Sequence, residues 1–300
     1  MYSQLLSDLQ NGNKRALARA ISLVENDSNG YESLLENLNF NKKVPLIGIT
    51  GPPGAGKSTL INAFAKHLLD QNKKVAIIAI DPSSPFNKGS LMGDRLRMGE
   101  HFLNPNIFIR SMASRGSLGG LAPKIFEVAD LIRAAQFDYV IIETVGVGQS
   151  EVEIASLADT TVLVLVPEAG DEIQTIKSGV MEIADVYVLN KSDRSGADTF
   201  YKNLCALTHS HASNEWESPV VKTIAHKYEG LQNLQDAIEK HQAANNLSDK
   251  KNLLLTEKAI VLIKNQRVKD IIFENVFNDL KEISKMQNFN IYRYVKKYTT

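Results

Sequence analysis

Residues Gly51-Pro52-Pro53-Gly54-Ala55-Gly56-Lys57-Ser58 repeat the pattern G-x-x-x-x-G-K-[ST] without deviation. This composition suits one task, holding a chain of phosphates. Glycines let the backbone wrap close to an anion with its N–H groups pointing inward. A helix starting at the end of the loop adds partial positive charge. Lys57 is then placed to reach the β- and γ-phosphates, Ser58 to offer its hydroxyl to Mg²⁺, and Thr59 to continue the cradle. An accidental glycine-rich turn would lack the right flanks. Here the apolar run VPLIGIT precedes the loop and the helix-like STLINAFAKHL follows it.

A second cluster, Asn190-Lys191-Ser192-Asp193, follows the apolar run DVYVLN. It looks like the guanine-reading N-K-x-D motif. A carboxylate at Asp193 can accept from the guanine ring N–H and its 2-amino group, and adenine offers neither donor there. Sites built on such bonds reject analogues lacking them by roughly 10⁴-fold or more. The four residues alone would be a common polar turn; downstream of a phosphate loop and at a strand's end they are specific.

Acids at strand ends supply the third signal. Glu143-Thr144-Val145-Gly146 closes DYVIIET and resembles the D-x-x-G element of GTPases with Glu for Asp. Glu143 is placed to help hold Mg²⁺, and Gly146 to sense the γ-phosphate. Asp81 closes KVAIIAID, and Asp94 lies in GSLMGDRLRMG; both are further candidates for the metal. Ligands gather at such strand ends in open α/β sheets. Lys57, Glu143, Asp94 and Arg115 are the candidates for catalysis, with loop anchoring the competing role for Arg115. Where Ras-like enzymes keep a water-orienting Gln, this chain has Val147, and the nearest Gln is Gln149. The pair His209 and His211 reads as a polar loop rather than a metal site, and Trp216 as packing.

These residues need a scaffold, and the sequence describes one. From about residue 44 to 240, strand-like runs at 44–50, 74–81, 138–144, 160–167, 185–190 and 219–223 alternate with helical stretches at 57–70, 123–136, 172–183 and 230–240. Continuous apolar strands are those buried on both faces. The expected fold is therefore α/β: a P-loop NTPase with a mostly parallel sheet covered by helices on both faces. Helical extensions are expected at both termini. The domain reading is an N-terminal helical extension over 1–42, a GTPase domain over 43–245 and a C-terminal helical dimerisation arm over 246–300. Asn13 is placed to cap a helix burying Leu17, Ile21 and Val24. Val268, Ile272, Val276, Leu280 and Ile283 trace an apolar stripe near the C-terminus. Residues 82–106 and 112–121 read as long loops between strands, where nucleotide-sensing segments belong.

Bulk properties exclude little but agree. With 34 basic and 34 acidic residues the chain has no charge bias toward nucleic acid or a membrane surface. Cys205 is the only cysteine, so no internal disulfide forms. Apolar runs are strand-sized, shorter than the ~18 residues of a membrane span. A cytoplasmic protein is expected.

The wider pattern resembles one family. Asp81-Pro82-Ser83-Ser84-Pro85, Gly89-Ser90-Leu91-Met92-Gly93-Asp94-Arg95, Arg115-Gly116-Ser117-Leu118-Gly119-Gly120 and Glu143-Thr144-Val145-Gly146-Val147-Gly148-Gln149 are similar to the methylmalonyl-CoA-mutase-associated GTPases, the MeaB family, also labelled ArgK or LAO/AO transport proteins. The resemblance implies a Mg²⁺-dependent GTPase that binds GTP and GDP. It further implies a chaperone that gates adenosylcobalamin delivery to an acyl-CoA mutase and protects that enzyme. Homodimerisation through C-terminal helices is implied as well. Residues 167–177 resemble the family's third switch, with Asp171 and Lys177 as its active members. The alternative is a metallochaperone-type GTPase assisting metal insertion; one Cys and six scattered His argue against it. A transport ATPase and a small-molecule kinase are weaker rivals, the first because N-K-S-D predicts guanine.

Overall fold

The computed structural model describes residues 2–40, 42–81, 104–113, 122–144, 150–170, 181–210, 216–244, 249–268, 270–271, 273–283 and 290–298. It divides into two compact units, residues 1–251 and 252–300.

The first unit is built on a sheet of strands β1 (Leu46–Thr50), β2 (Val75–Asp81), β3 (Ile107–Ala113), β4 (Tyr139–Glu143), β5 (Thr160–Leu165), β6 (Val186–Leu189) and β7 (Val220–Lys222). Their order is β3-β2-β4-β1-β5-β6-β7, and every pairing is parallel. Parallel strands need crossovers, and helices supply them. In β1, β2 and β4 alternate residues feed different cores, while β5 and β6 give all their apolar residues to one. Ile47, Ile49, Ile77 and Ile141 face one side with α4 (Lys57–Asp70), α7 (Ala197–Ser210) and α8 (Leu231–Ala244). Leu46, Ile78, Val140 and Ile142 face the other with α1 (Ser3–Gln10), α2 (Lys14–Glu25), α3 (Tyr31–Glu36), α5 (Ile125–Arg133) and α6 (Ser150–Leu157). The expected α/β architecture, a parallel sheet covered on both faces, is therefore present.

The N-terminal helices help cover the second face. Asn13 Oδ1 accepts from the N–H groups of Arg15 and Ala16, capping α2. Leu17, Ile21 and Val24 are fully buried. Lys14 donates to Ile107 O, and Glu25 pairs with Arg110, so both ends of α2 are tied to β3.

Three elements escaped the sequence reading: β3, α6 and α7. β3 is an edge strand, and its run IFIRSMA carries Arg110 and Ser111 mid-strand. That polarity hides a strand whose middle is only half buried. The helix expected over 172–183 falls largely outside the described residues, and 181–183 form a turn.

The second unit contains most of α9 (Asp249–Arg267), then α10 (Phe273–Ile283), α11 (Ile291–Val295) and a short 3₁₀ turn, Lys296–Tyr298. The apolar stripe is not carried by one helix. Val268 sits in the turn after α9, Ile272 lies outside the described residues, and Val276, Leu280 and Ile283 belong to α10. Within this unit Asp279 binds Lys297 and the Tyr294 hydroxyl, and the Tyr294 and Tyr298 rings meet edge to face. Among the described residues, no helix is long and apolar enough to cross a membrane.

Candidate functional site: a phosphate loop joined to a base-reading loop

The loop from Gly51 to Gly56 links β1 to α4, and its shape leaves no room for other residues at two places. Gly51 has φ 141°, and a Cβ there would lie 2.2 Å from the Val164 carbonyl oxygen of β5. Gly56 has φ 85°, and its Cβ would meet Asn190 Nδ2 at 2.6 Å. Both the backbone angle and the close approach demand glycine. Lys57, the first residue of α4, is buried at 8% exposure. Its ammonium donates to the carbonyls of Gly51 (2.7 Å) and Pro52 (3.1 Å), which fixes it along the loop.

Asn190 leaves the end of β6 and joins three segments. Its Nδ2 donates to Ala55 O at 3.0 Å, while its Oδ1 accepts from Thr223 Oγ1 (3.2 Å) and the Ala225 N–H (3.3 Å). At 2% exposure, every one of these polar bonds matters, because an unmet buried amide costs about 1–3 kcal/mol. Lys191 adopts φ 55°, and its Nζ donates to Gly54 O at 2.8 Å. The loop that begins at Asn190 is thus bonded directly to the phosphate loop.

Asp193 lines a pocket of about 340 Å³ with Gly56, Thr59, Lys191, Arg194 and His226. Two basic side chains stand near its carboxylate: Lys227 Nζ at 3.4 Å and His226 Nε2 at 4.0 Å. Desolvation pushes the Asp193 carboxyl upward, but its own backbone N–H and the Lys227 ammonium outweigh that and hold it below the usual carboxylate range. The group therefore stays an acceptor at neutral pH.

The segment from Thr223 to Lys227 did not emerge as functional from the sequence, which marked only the strand before it. The available signal was position. It leaves β7 at the same C-terminal edge that carries the other loops. The sequence reading also gave Arg194 no role.

At the phosphate end, Ser58 Oγ donates to Glu143 Oε1 at 2.6 Å. Glu143 closes β4 and is 6% exposed. Next to it, Thr144 Oγ1 donates to Thr50 Oγ1 at 3.1 Å, and its N–H to Ile49 O at 3.2 Å, which locks the exits of β4 and β1 together. In the sheet register Ala79 lies opposite Glu143, so Asp81 ends the neighbouring strand two residues further on, at the same edge. The Ser58 hydroxyl and the Glu143 carboxylate are hard oxygen donors of the kind Mg²⁺ takes, which makes this corner chemically fit for it.

Several candidates fall outside the described residues: Asp94, Arg115, Gly146, Val147, Gln149, Asp171, Lys177 and His211. Of the 167–177 segment, Pro167–Gly170 form a 3₁₀ turn directly after β5, and Glu168 is ion-paired with Arg194. His209 bonds Glu217 at 2.8 Å. Trp216 packs its ring edge-on against His241 and donates to Asp185 O at 2.8 Å, a packing role as expected. Among the described residues, no group of three His, Cys, Asp or Glu gathers as a metal site.

Residues 17–282 match the family model described as methylmalonyl Co-A mutase-associated GTPase MeaB. The chain belongs to this family. A putative GTPase of Pyrococcus abyssi is 46% identical over 247 residues, which is 81% of this chain and 76% of that protein. The mouse methylmalonic aciduria type A homolog, mitochondrial, is 36% identical over 262 residues, 80% of this chain and 62% of that one. The solved structure of a LAO/AO transport system kinase superposes with a TM-score of 0.69 at 26% identity, covering 99% of this chain and 96% of the other. This MeaB-family chain is a P-loop GTPase, a GTP hydrolase.

Proposed function

We propose that this MeaB-family GTPase is a chaperone of an adenosylcobalamin-dependent acyl-CoA mutase, with methylmalonyl-CoA mutase the foremost client. In this reading it gates delivery of the cofactor and protects the mutase. The family's description names that mutase, and the mouse relative's name points to methylmalonate metabolism. The observation that carries the nucleotide half is the direct bonding of Asn190 and Lys191 to the phosphate loop. Base and phosphate recognition then act as one body, so the bound guanine nucleotide presents its γ-phosphate at a fixed place.

Within that body each residue has a task. The loop amides and Lys57 bind the β- and γ-phosphates. Asp193 accepts from the guanine edge. Ser58 and Glu143, with Asp81 at the adjacent strand end, would hold Mg²⁺, which when bound neutralises charge on the phosphate oxygens. Gly146 senses the γ-phosphate, and Asp94 and Arg115 are the further catalytic candidates. Val147 cannot orient water, so positioning of the nucleophile is left to a partner. Such a missing group is worth ~10³–10⁵ in rate in related phosphoryl-transfer enzymes.

Single-turnover hydrolysis of GTP, with and without the purified mutase from the same organism, tests the chaperone role. The mutase is expected to accelerate hydrolysis. A rate that no concentration of mutase changes would overturn the reading while leaving the GTPase itself intact.

A further inference from the structure

Asp193 must present its carboxylate to two neutral N–H donors of guanine, yet basic side chains stand around it. Lys227 and His226 already stand 3.4 Å and 4.0 Å away. Arg194, its sequence neighbour, lines the same pocket. A guanidinium is a far stronger partner for a carboxylate than a neutral N–H, and its forked donors match both oxygens. Left to itself, Arg194 would compete with guanine for Asp193. It is held elsewhere: its Nη1 binds Glu168 Oε1, and Glu168 belongs to the 3₁₀ turn that leaves β5. That turn packs against α7, the helix that follows the base-reading loop. The Arg194 guanidinium, and after it the residue's own backbone N–H, draw the Glu168 carboxyl below its ordinary range, with Lys191 a smaller influence.

We propose that Glu168 is a positioning residue that holds Arg194 off the guanine-reading carboxylate of Asp193, and so links the turn after β5 to guanine affinity. The link is reciprocal, as any binding linkage must be. A protein that takes Glu168 for its own contact releases Arg194 toward Asp193 and loosens the nucleotide. A guanine nucleotide on Asp193 in turn favours the Glu168–Arg194 pair. The effect works at the base, so it applies to GDP and GTP alike. This inference rests on the guanine site and not on any client protein.

The experiment measures binding of fluorescent GDP and GTP analogues to the full chain with Mg²⁺ at low and high salt. Both members of the pair are half exposed, and exposed pairs are modest in strength. Glu168→Gln is therefore expected to weaken both nucleotides about two- to fivefold at low salt, and less at high salt. Adding Arg194→Ala to Glu168→Gln removes the competitor, so the double variant is expected to bind at least about twofold tighter than Glu168→Gln alone. An unchanged unfolding midpoint for Glu168→Gln establishes that the fold is intact. Two results overturn the proposal. One is wild-type affinity in Glu168→Gln. The other is a double variant as weak as Glu168→Gln, which would make the pair a simple loop tie. No mutase enters the assay, so its outcome is independent of the chaperone reading.

Discussion

Asn190 and Asp193 stand three residues apart and do different work. Asn190 is spent entirely on protein, with Ala55, Thr223 and Ala225 using its amide. Asp193 remains aimed into the pocket. Replacing Asp193 with Asn sets an amide donor against a guanine donor and removes the charge. Two charge-assisted hydrogen bonds are affected, so GTP and GDP affinity should fall on the order of 100-fold or more. Titration calorimetry with GDP and ATP checks this, and a variant that keeps its preference for guanine sinks the assignment. A second residue makes a prediction about stability. Burial raises the Asp138 carboxyl, but the Lys42 ammonium (2.8 Å) and the Lys74 N–H (2.7 Å) outweigh it and hold the group below its ordinary 3.8. A carboxyl depressed in the folded state stabilises fully above its unfolded pKa and loses that contribution as pH falls through the folded value. Thermal melts of wild type should therefore lose stability below about pH 4 more steeply than those of Asp138→Asn. Equal acid limbs would show that the pair does not matter. At this scale the sequence was informative where a residue type is chemically forced, as at Gly51, Lys57, Asn190 and Asp193. It was silent on Asp138, Arg194 and Lys227, whose roles arise only from neighbours distant in the chain.

Elements were legible in proportion to their burial. β1, β4 and β5 are buried at every position, and each read as a continuous apolar run. β3 lies at the sheet's edge, with Arg110 committed to Glu25, and its residues 107–111 carried no strand signal strong enough to be picked out. Helix α2 was recognised from its cap and spacing because both are local signals. Its energetics can be tested at the same scale. Asn13→Ala removes the acceptor for two N–H groups and should cost about 1 kcal/mol. Leu17→Ala opens a cavity beneath the helix and should cost about 2–5 kcal/mol. Urea unfolding followed by circular dichroism measures both, and a cap variant more damaging than the core variant would contradict this packing picture. The turn after β5 carries a functional prediction for the segment it begins. If residues 167–177 relay nucleotide state, Lys177→Ala should leave GTP affinity nearly intact and abolish most of the acceleration that a client mutase causes. A variant that responds to the mutase as wild type does places the relay elsewhere.

At the scale of the whole molecule, the two units differ in how they are stabilised. The first has a core on each face of its sheet. The second leaves Leu255, Ile260, Ile263, Val268, Phe277, Ile291 and Val295 exposed, while Tyr294 is buried. Monomeric proteins rarely leave large contiguous apolar patches in water, and such patches mark interaction sites when they occur. A helix like α10, with Val276, Leu280 and Ile283 half buried and Phe277 outward, gains stability chiefly from packing and not from propensity. The MeaB-family resemblance implies that a second copy supplies that packing. The chain is therefore expected to be a dimer, and a version ending after residue 250 to be a monomer that still binds GDP. Light scattering coupled to size exclusion, run at several concentrations, measures both masses. A monomeric full-length chain would remove the dimer, and a truncated chain that stays dimeric would move the interface onto the sheet-containing unit.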